Sequence, residues 1–253
     1  MKSSLFVISA LHPASLCHAL QSVLLCTAVH DDGRSESDLT LLQKYGLTPD
    51  EIERRSLEMV EAAMPPTPHL TASERYVLGR IVRAEGEPQI VDSVRFSDGA
   101  VKDGITAIRD GATIVTDVRM VEVGTSKALL RRAGNPITTM IDAPIVAERA
   151  KREGVTRSAA AIRELTAEID GAVVAVGNAP TALLALLDSV DEGKASPALI
   201  IGMPVGFVAC AEAKDELAKR SARHITILGN RGGSSAAAAT LNALLSLAME
   251  DNR

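Results

Sequence analysis

Residues 171–190 read GAVVAVGNAPTALLALLDSV: an aliphatic run ends at Gly177-Asn178, Pro180 follows, and an Ala/Leu run takes over. An apolar run of that length, closed by a turn signal, fits a buried strand, and proline is favoured in the first turn of the helix that follows. The same unit returns as PALIIGMPVGFVACAEAKDEL over 197–217 and as HITILGNRGGSSAAAATLNALLSLAM over 224–249. Aliphatic strands alternating with helices imply crossover connections and a parallel sheet covered on both faces. Upstream, ATIVTD over 112–117 is a further strand, preceded by a helix in DGAVKDGITAIRD over 98–110. Thr71-Ala72-Ser73-Glu74 is a capping box that opens the helix RYVLGRIVRAEG, ended by Gly86. Thr48-Pro49-Asp50 opens EIERRSLEMVEAAM, with Ile52, Met59 and Val60 as its apolar stripe, and Pro65-Pro66 stops it. The expected fold is α/β: a parallel sheet flanked by helices on both faces, a Rossmann-like sandwich over residues 41–253.

Composition bounds the function. The 253 residues are 46% hydrophobic and 23% charged, which excludes a disordered chain, a collagen-like repeat and a small disulfide scaffold. Aromatics are 2%, with no Trp, so the core is made of Ala, Val, Leu and Ile, and so few rings argue against stacking platforms for single-stranded nucleic acid. A net charge of −5 and a pI near 5.6 lack the basic footprint of a nucleic-acid binder. Cys17, Cys26 and Cys210 have no CxxC spacing, so neither a zinc site nor a disulfide framework is expected, and a reducing cytoplasm is the default. Residues 1–40 differ from the rest. Lys2 and the apolar stretch from Leu5 to Leu11 resemble the start of a signal peptide, but His12-Pro13 interrupts it and no membrane-spanning run follows. The segment reads as an atypical N-terminal extension, an added helix, or translation from a start upstream of the true one.

Parallel sheets bind ligands at the carboxyl ends of their strands. Here those ends carry Asp117, Gly177-Asn178, Gly202-Met203 and Gly229-Asn230, and the turns beyond supply Thr181, Gly206, Gly232-Gly233 and Ser234. Free amides at helix N-termini favour anions, so three such turns on one rim suit a ligand with several carboxylates or phosphates. Glycine and asparagine also serve turn geometry alone. None of the turns is a P-loop, and GNRGGS lacks the dinucleotide spacing. Asp117 either orients a ligand or an arginine, or caps a helix. Cys210, among alanines, reads as a small core residue.

VVAVGNAPTALLALL, ALIIGMPVGFVACAEAKDEL and ITILGNRGGSSAAAATLNAL resemble, in order and spacing, the C-terminal half of the precorrin-8X methylmutase family, which includes the cobalt-precorrin-8 methylmutases of cobalamin biosynthesis. RRSLEMV, RFSDGAVKDGITAIRDGATIVTDVRMVEVG and GVTRSAAA continue the resemblance, which covers about residues 45–247. It implies an isomerase that moves a methyl group from C11 to C12 of a corrin ring, acting as a homodimer with the tetrapyrrole near the subunit interface. No cofactor or metal is expected, and composition and charge leave neither nucleic acid nor a membrane as partner. The resemblance assigns substrate binding to Ser56, Arg80 and Arg157, and with the rim reading to Asp117, Asn178 and Thr181.

One position departs from the family. Its catalytic histidine belongs to a pattern like Arg-x-Val-His-x-x-Gly, and this chain has Arg80-Ile81-Val82-Arg83-Ala84-Glu85-Gly86. Arg83 therefore takes the histidine's place. Imidazole exchanges protons near neutrality, whereas a guanidinium stays protonated and can only hold a carboxylate or stabilise negative charge. Of the other histidines, His69 in the loop before this helix is the one candidate substitute, and His224 opens a strand. Two readings follow: a methylmutase with an altered proton donor, or a corrinoid-binding homologue with reduced or lost catalysis. Deleting residues 1–40 should leave Tm and self-association nearly unchanged, measured by calorimetry and light scattering. A fall of many degrees would instead put the apolar stretch at Val23-Leu24-Leu25 in the core.

Overall fold

The computed structural model describes residues 40, 41, 45, 46 and 48–250. The expected extension lies outside the described residues except for Thr40, and with it lie Cys17, Cys26, His12, His18 and His30. The chain divides into two units, Met1–Glu51 and Ile52–Arg253. In the first, the Thr48 hydroxyl accepts a 3.3 Å hydrogen bond from the Glu51 amide. The second contains the sheet and the helices that cover it.

In chain order the elements are α1 (Pro49–Ala63), α2 (Ala72–Glu85), a 3₁₀ turn (Pro88–Ser93), β1 (Val94–Phe96), α3 (Ala100–Arg109), β2 (Ile114–Thr116), α4 (Arg119–Gly124), α5 (Lys127–Ala133) and β3 (Ile137–Thr138). They continue with α6 (Pro144–Glu153), α7 (Arg157–Glu164), a second 3₁₀ turn (Thr166–Glu168), β4 (Val173–Val176), α8 (Pro180–Asp191), β5 (Leu199–Gly202), α9 (Cys210–Ala218), β6 (His224–Ile227) and α10 (Ser234–Glu250). The described strands form one sheet in the order β1-β6-β5-β4-β2-β3. Every pair is parallel except β1, which lies antiparallel on β6 with Val94 opposite Ile227 and Phe96 opposite Ile225. The sheet is thus mostly parallel, as expected, and β1 makes its edge antiparallel. β1 is three residues long, and Val-Arg-Phe is too short to show a strand period in the sequence.

Alternate residues of the central strands feed two cores. Val173, Ala175, Leu199, Ile201, Ile225 and Ile227 pack with α2, α3 and α10, while Val174, Val176 and Ile200 pack with α7, α8 and α9. Ala-rich helices over aliphatic strands make up for the scarcity of aromatic rings by close approach. A side chain on Gly202 would meet Leu217 Cδ2 at 2.4 Å, and one on Gly104 would meet Leu199 Cδ2 at 2.6 Å.

Helix signals in the sequence hold at α2. The Thr71 hydroxyl accepts from the Glu74 amide, the Glu74 carboxylate accepts from the Thr71 amide, and Gly86 ends the helix in the left-handed conformation. The apolar stripe expected on α1 is corrected. Ile52 and Met59 are 49% and 63% exposed, and only Val60 packs on a core. Charged pairs join α1 to α2 instead: Glu61 to Arg75 at 2.6 Å, and Glu53 to both Arg80 and Arg83.

Gly177, where β4 ends, sets how closely α10 approaches the sheet. A Cβ there would lie 2.6 Å from Val121 Cγ2 and 2.9 Å from the Ser234 Cα. Because one neighbour is backbone, Gly177→Ala should cost about 1–3 kcal/mol, read as a lower denaturant midpoint at unchanged m-value. An unchanged midpoint would mean that the start of α10 yields freely.

Candidate functional site

At the carboxyl ends of the parallel strands, one buried carboxylate organises the first turn. Asp117, just past β2, is fully buried; its Oδ1 accepts from the Gly177 amide at 2.9 Å, and its Oδ2 from the amides of Asn178 and Ala179 at 2.9 Å each. These amides begin α8, whose own N-cap, Ala179, offers no side-chain acceptor. Asp117 therefore caps α8 from the neighbouring strand. Of the two readings the sequence allowed, the structure takes the cap. The Asp117 side chain is fully buried, and both oxygens accept from the backbone of the turn. Burial pushes its carboxyl pKa up, against the pull of the three amides.

The remaining turns are bonded to each other in sequence. The Met203 amide donates to Val176 O at 2.8 Å, the Gly233 amide donates to Met203 O at 2.8 Å, and the Gly206 amide donates to Asn230 O at 3.2 Å. Gly232 lies so near this strand end that a Cβ would come within 2.8 Å of Met203 O, at a φ of +125°. Beneath them is Lys214, whose burial nothing in the sequence pattern announces. It is fully buried, and its Nζ donates to Pro204 O at 3.1 Å and Arg231 O at 2.7 Å, tying the two glycine-rich turns together. Burial pulls its pKa down, and the nearby Cys210 thiol is the first of the groups that oppose this. Cys210 is buried as expected, its thiol 3.2 Å from Pro204 O. Beyond Gly206, α9 starts only at Cys210, because residues 203–209 form a loop that ends in a left-handed Ala209 (φ 56°). That loop leaves Phe207 and Val208 89% and 86% exposed.

The other candidate residues fall into two groups, on elements that cover opposite faces of the sheet. Asn178 and Thr181 start α8, and Arg157 starts α7 beside them. The Thr156 hydroxyl, which caps α7, lies 2.7 Å from the Thr181 hydroxyl, so the two helix N-termini are stitched together. Asn178 and Arg157 are exposed there, and Arg157 has no ion-pair partner among the described residues.

On the other face, Arg80 and Arg83 sit one turn apart on α2. Glu53 of α1 receives both: Arg80 Nη1 is 2.6 Å from its Oε1, and Arg83 Nη1 is 2.5 Å from its Oε2. Arg80 Nη2 also donates to the Tyr76 hydroxyl at 2.9 Å, with its Cζ 5.2 Å from the centre of that ring. Hydrogen bonds from Arg83 and then Arg80 hold the Glu53 carboxyl below the usual range. Burial lowers the Arg80 pKa, and Tyr76 and Glu53 more than offset it. Ser56 is half-buried three residues after Glu53. Glu53 and Tyr76 went unnoticed in the sequence, though the spacings i,i+3 to Ser56 and i,i+4 to Arg80 put each on a candidate's helix face.

Of the histidines, His69 is exposed on a cleft of about 570 Å³ that Asp92, Arg95 and Ser97 also line, along the edge strand β1. His224 is buried; its Nδ1 lies 2.8 Å from Ala222 O and its amide donates to Ser97 Oγ, a structural setting. No helix among the described residues is long and apolar enough to cross a membrane.

Known proteins share both the sequence and the fold. A sequence model of the precorrin-8X methylmutase family matches residues 51–247. The chain is 42% identical over 200 residues to the cobalt-precorrin-8 methylmutase of Priestia megaterium, which spans 79% of this chain and 88% of that protein. It is 44% identical over 167 residues to the precorrin-8X methylmutase of Pseudomonas aeruginosa, spanning 65% of this chain and 80% of that one. The crystal structure of the precorrin-8X methylmutase of Thermus thermophilus superposes with a TM-score of 0.73 at 40% identity, over 78% of this chain and 95% of that chain. Fold and relatives together define an α/β isomerase. The chain belongs to the precorrin-8X methylmutase family.

The Asp117 cap yields a sharp expectation. Asn at that position offers one oxygen and turns an N–H₂ toward amides that already donate. Asp117→Asn should cost about 2–4 kcal/mol, because buried donors lose their acceptor. Chemical denaturation measures it; a loss below half a kcal/mol would rule out the capping role.

Proposed function

We propose that this protein is a methylmutase acting on precorrin-8X or its cobalt form, moving the methyl group from C11 to C12 of the corrin ring. The observation that carries this reading is the breadth of the match to relatives that bear the methylmutase name. Ser56, Arg80, Arg157 and all three rim turns fall within residues 51–247, the part matched by the family. A corrinoid of this kind carries several peripheral carboxylates, and the chain offers guanidinium groups and helix N-termini to receive them. In this reading Arg80, Arg83 and Ser56 bind one side of the macrocycle, and Arg157, Asn178 and Thr181 the other.

Because those two groups lie on opposite faces of one sheet, a second copy is the simplest way to present both to one ligand. The protein then works as a homodimer, and the exposed Phe207 and Val208 gain cover in it. We place it in the cytoplasm, with residues 1–40 outside the catalytic domain. Arg83 holds a substrate carboxylate or stabilises charge on the ring; it does not shuttle the proton.

Turnover is tested by following the absorbance of precorrin-8X and cobalt-precorrin-8 on adding the purified protein, with hydrogenobyrinic acid titrated as the product. Conversion and saturable binding, weakened by salt and by Arg157→Ala, are the expected results; no spectral change with any of the three would end the reading. A positioned proton-exchanging group is typically worth about 10²–10⁴-fold. Arg83→His should therefore raise turnover and give it a pH dependence in the imidazole range. Brisk wild-type turnover that this substitution slows would make Arg83 itself the working group.

A further inference from the structure

We propose that Glu53 is a positioning residue of the substrate site, its carboxylate holding the guanidinium groups of Arg80 and Arg83 side by side as one receptor for a carboxylate of the corrinoid. The inference rests on the methylmutase reading and deepens it. Two arginines three residues apart on one helix repel each other. Their side chains are also long, so an arginine free to swing loses rotamer entropy when it takes a ligand. Glu53 removes both costs in advance. Each of its oxygens takes one guanidinium, at 2.6 Å for Arg80 and 2.5 Å for Arg83. A guanidinium has five N–H donors, and each arginine spends a single Nη on this carboxylate, so donors remain for an incoming anion.

The two arginines are not held equally. Arg80 is fixed again by the Tyr76 hydroxyl at 2.9 Å and by the ring below it. Arg83 is held through Glu53. Removing the carboxylate should thus release Arg83 much more than Arg80. The carboxyl also stays ionised to lower pH than an ordinary glutamate, so the receptor remains assembled throughout the neutral range.

A competing view treats Glu53 as a stand-in anion that the substrate must displace. The two views differ in sign. Without the negative charge, a mere stand-in leaves a more cationic and tighter site, whereas a positioning residue leaves a looser one. The test uses the full-length protein and its Glu53→Gln, Arg83→Gln and double variants, with hydrogenobyrinic acid titrations, KM and kcat for precorrin-8X, and Tm. Positioning predicts that Glu53→Gln weakens binding by about three- to tenfold. KM should rise by more than kcat falls, Tm should stay within a few degrees, and the effect should vanish in the Arg83→Gln background. Equal or tighter binding by Glu53→Gln overturns the proposal, as does a loss of the same size with and without Arg83. If the wild type neither binds nor converts corrinoid, the methylmutase reading itself fails, an outcome separate from these.

Discussion

A single carboxylate holds the rim in register. Asp117 is fully buried, and a carboxyl group taken out of water costs several kcal/mol in desolvation unless hydrogen bonds replace the lost water. Three backbone amides do so here, two of them on one oxygen and one on the other. The position of the Gly177-Asn178-Ala179 turn follows from that geometry. From the turn, α8 starts at the place where Thr181 meets Thr156 and α7 begins with Arg157 outward. The next strand end is bonded to β4 through Met203 and Val176, and the third turn to Met203 through Gly233. Lys214 then fastens the second and third turns from below. Each feature of the rim leans on the one before it, and the first leans on Asp117.

Most of the sheet was legible because its strands are aliphatic and its turns carry Gly, Asn and Pro where parallel crossovers need them. The capping box at Thr71 and the stop at Gly86 were legible for the same reason: the chemistry is local. What escaped was set by tertiary partners. β1 exists because β6 offers it an edge, and no pattern within Val-Arg-Phe announces that. Ile52 and Met59 have the spacing of a buried stripe, yet α1 meets α2 through carboxylate–guanidinium pairs and leaves them in solvent. Lys214 was invisible as a buried residue because its acceptors are backbone carbonyls of distant turns. Asp117 stood out in the sequence, but whether it faced a ligand or a backbone depended on a turn sixty residues later in the chain.

The arginine cluster on α2 bears on the chemistry differently from the rim. Rim amides are fixed dipoles, whereas Arg80 and Arg83 are full charges on long stems, and such groups discriminate only when held. Glu53 and Tyr76 hold them at the cost of part of their donor capacity. The cluster thus keeps a net positive charge of about one, with repulsion between the arginines limited by the shared carboxylate. Arg83 is accommodated electrostatically by its surroundings, with Glu53 as its ion-pair partner.

The antiparallel edge strand also has a consequence for the order of events as the chain is made. Val94 pairs with Ile227, so β1 waits for β6, which emerges from the ribosome only after about half the protein's length has followed β1. Closing so long a loop is entropically slow relative to local contacts. The β2, β4 and β5 ladder and its helices can assemble during synthesis, but α2, whose apolar face packs with α10, has no finished surface to dock on until the last helix is complete. Arg80 and Arg83 ride on α2. These two arginines are therefore set in place at the end of synthesis, and a chain truncated before α10 would expose the apolar face of α2 to chaperones and proteases.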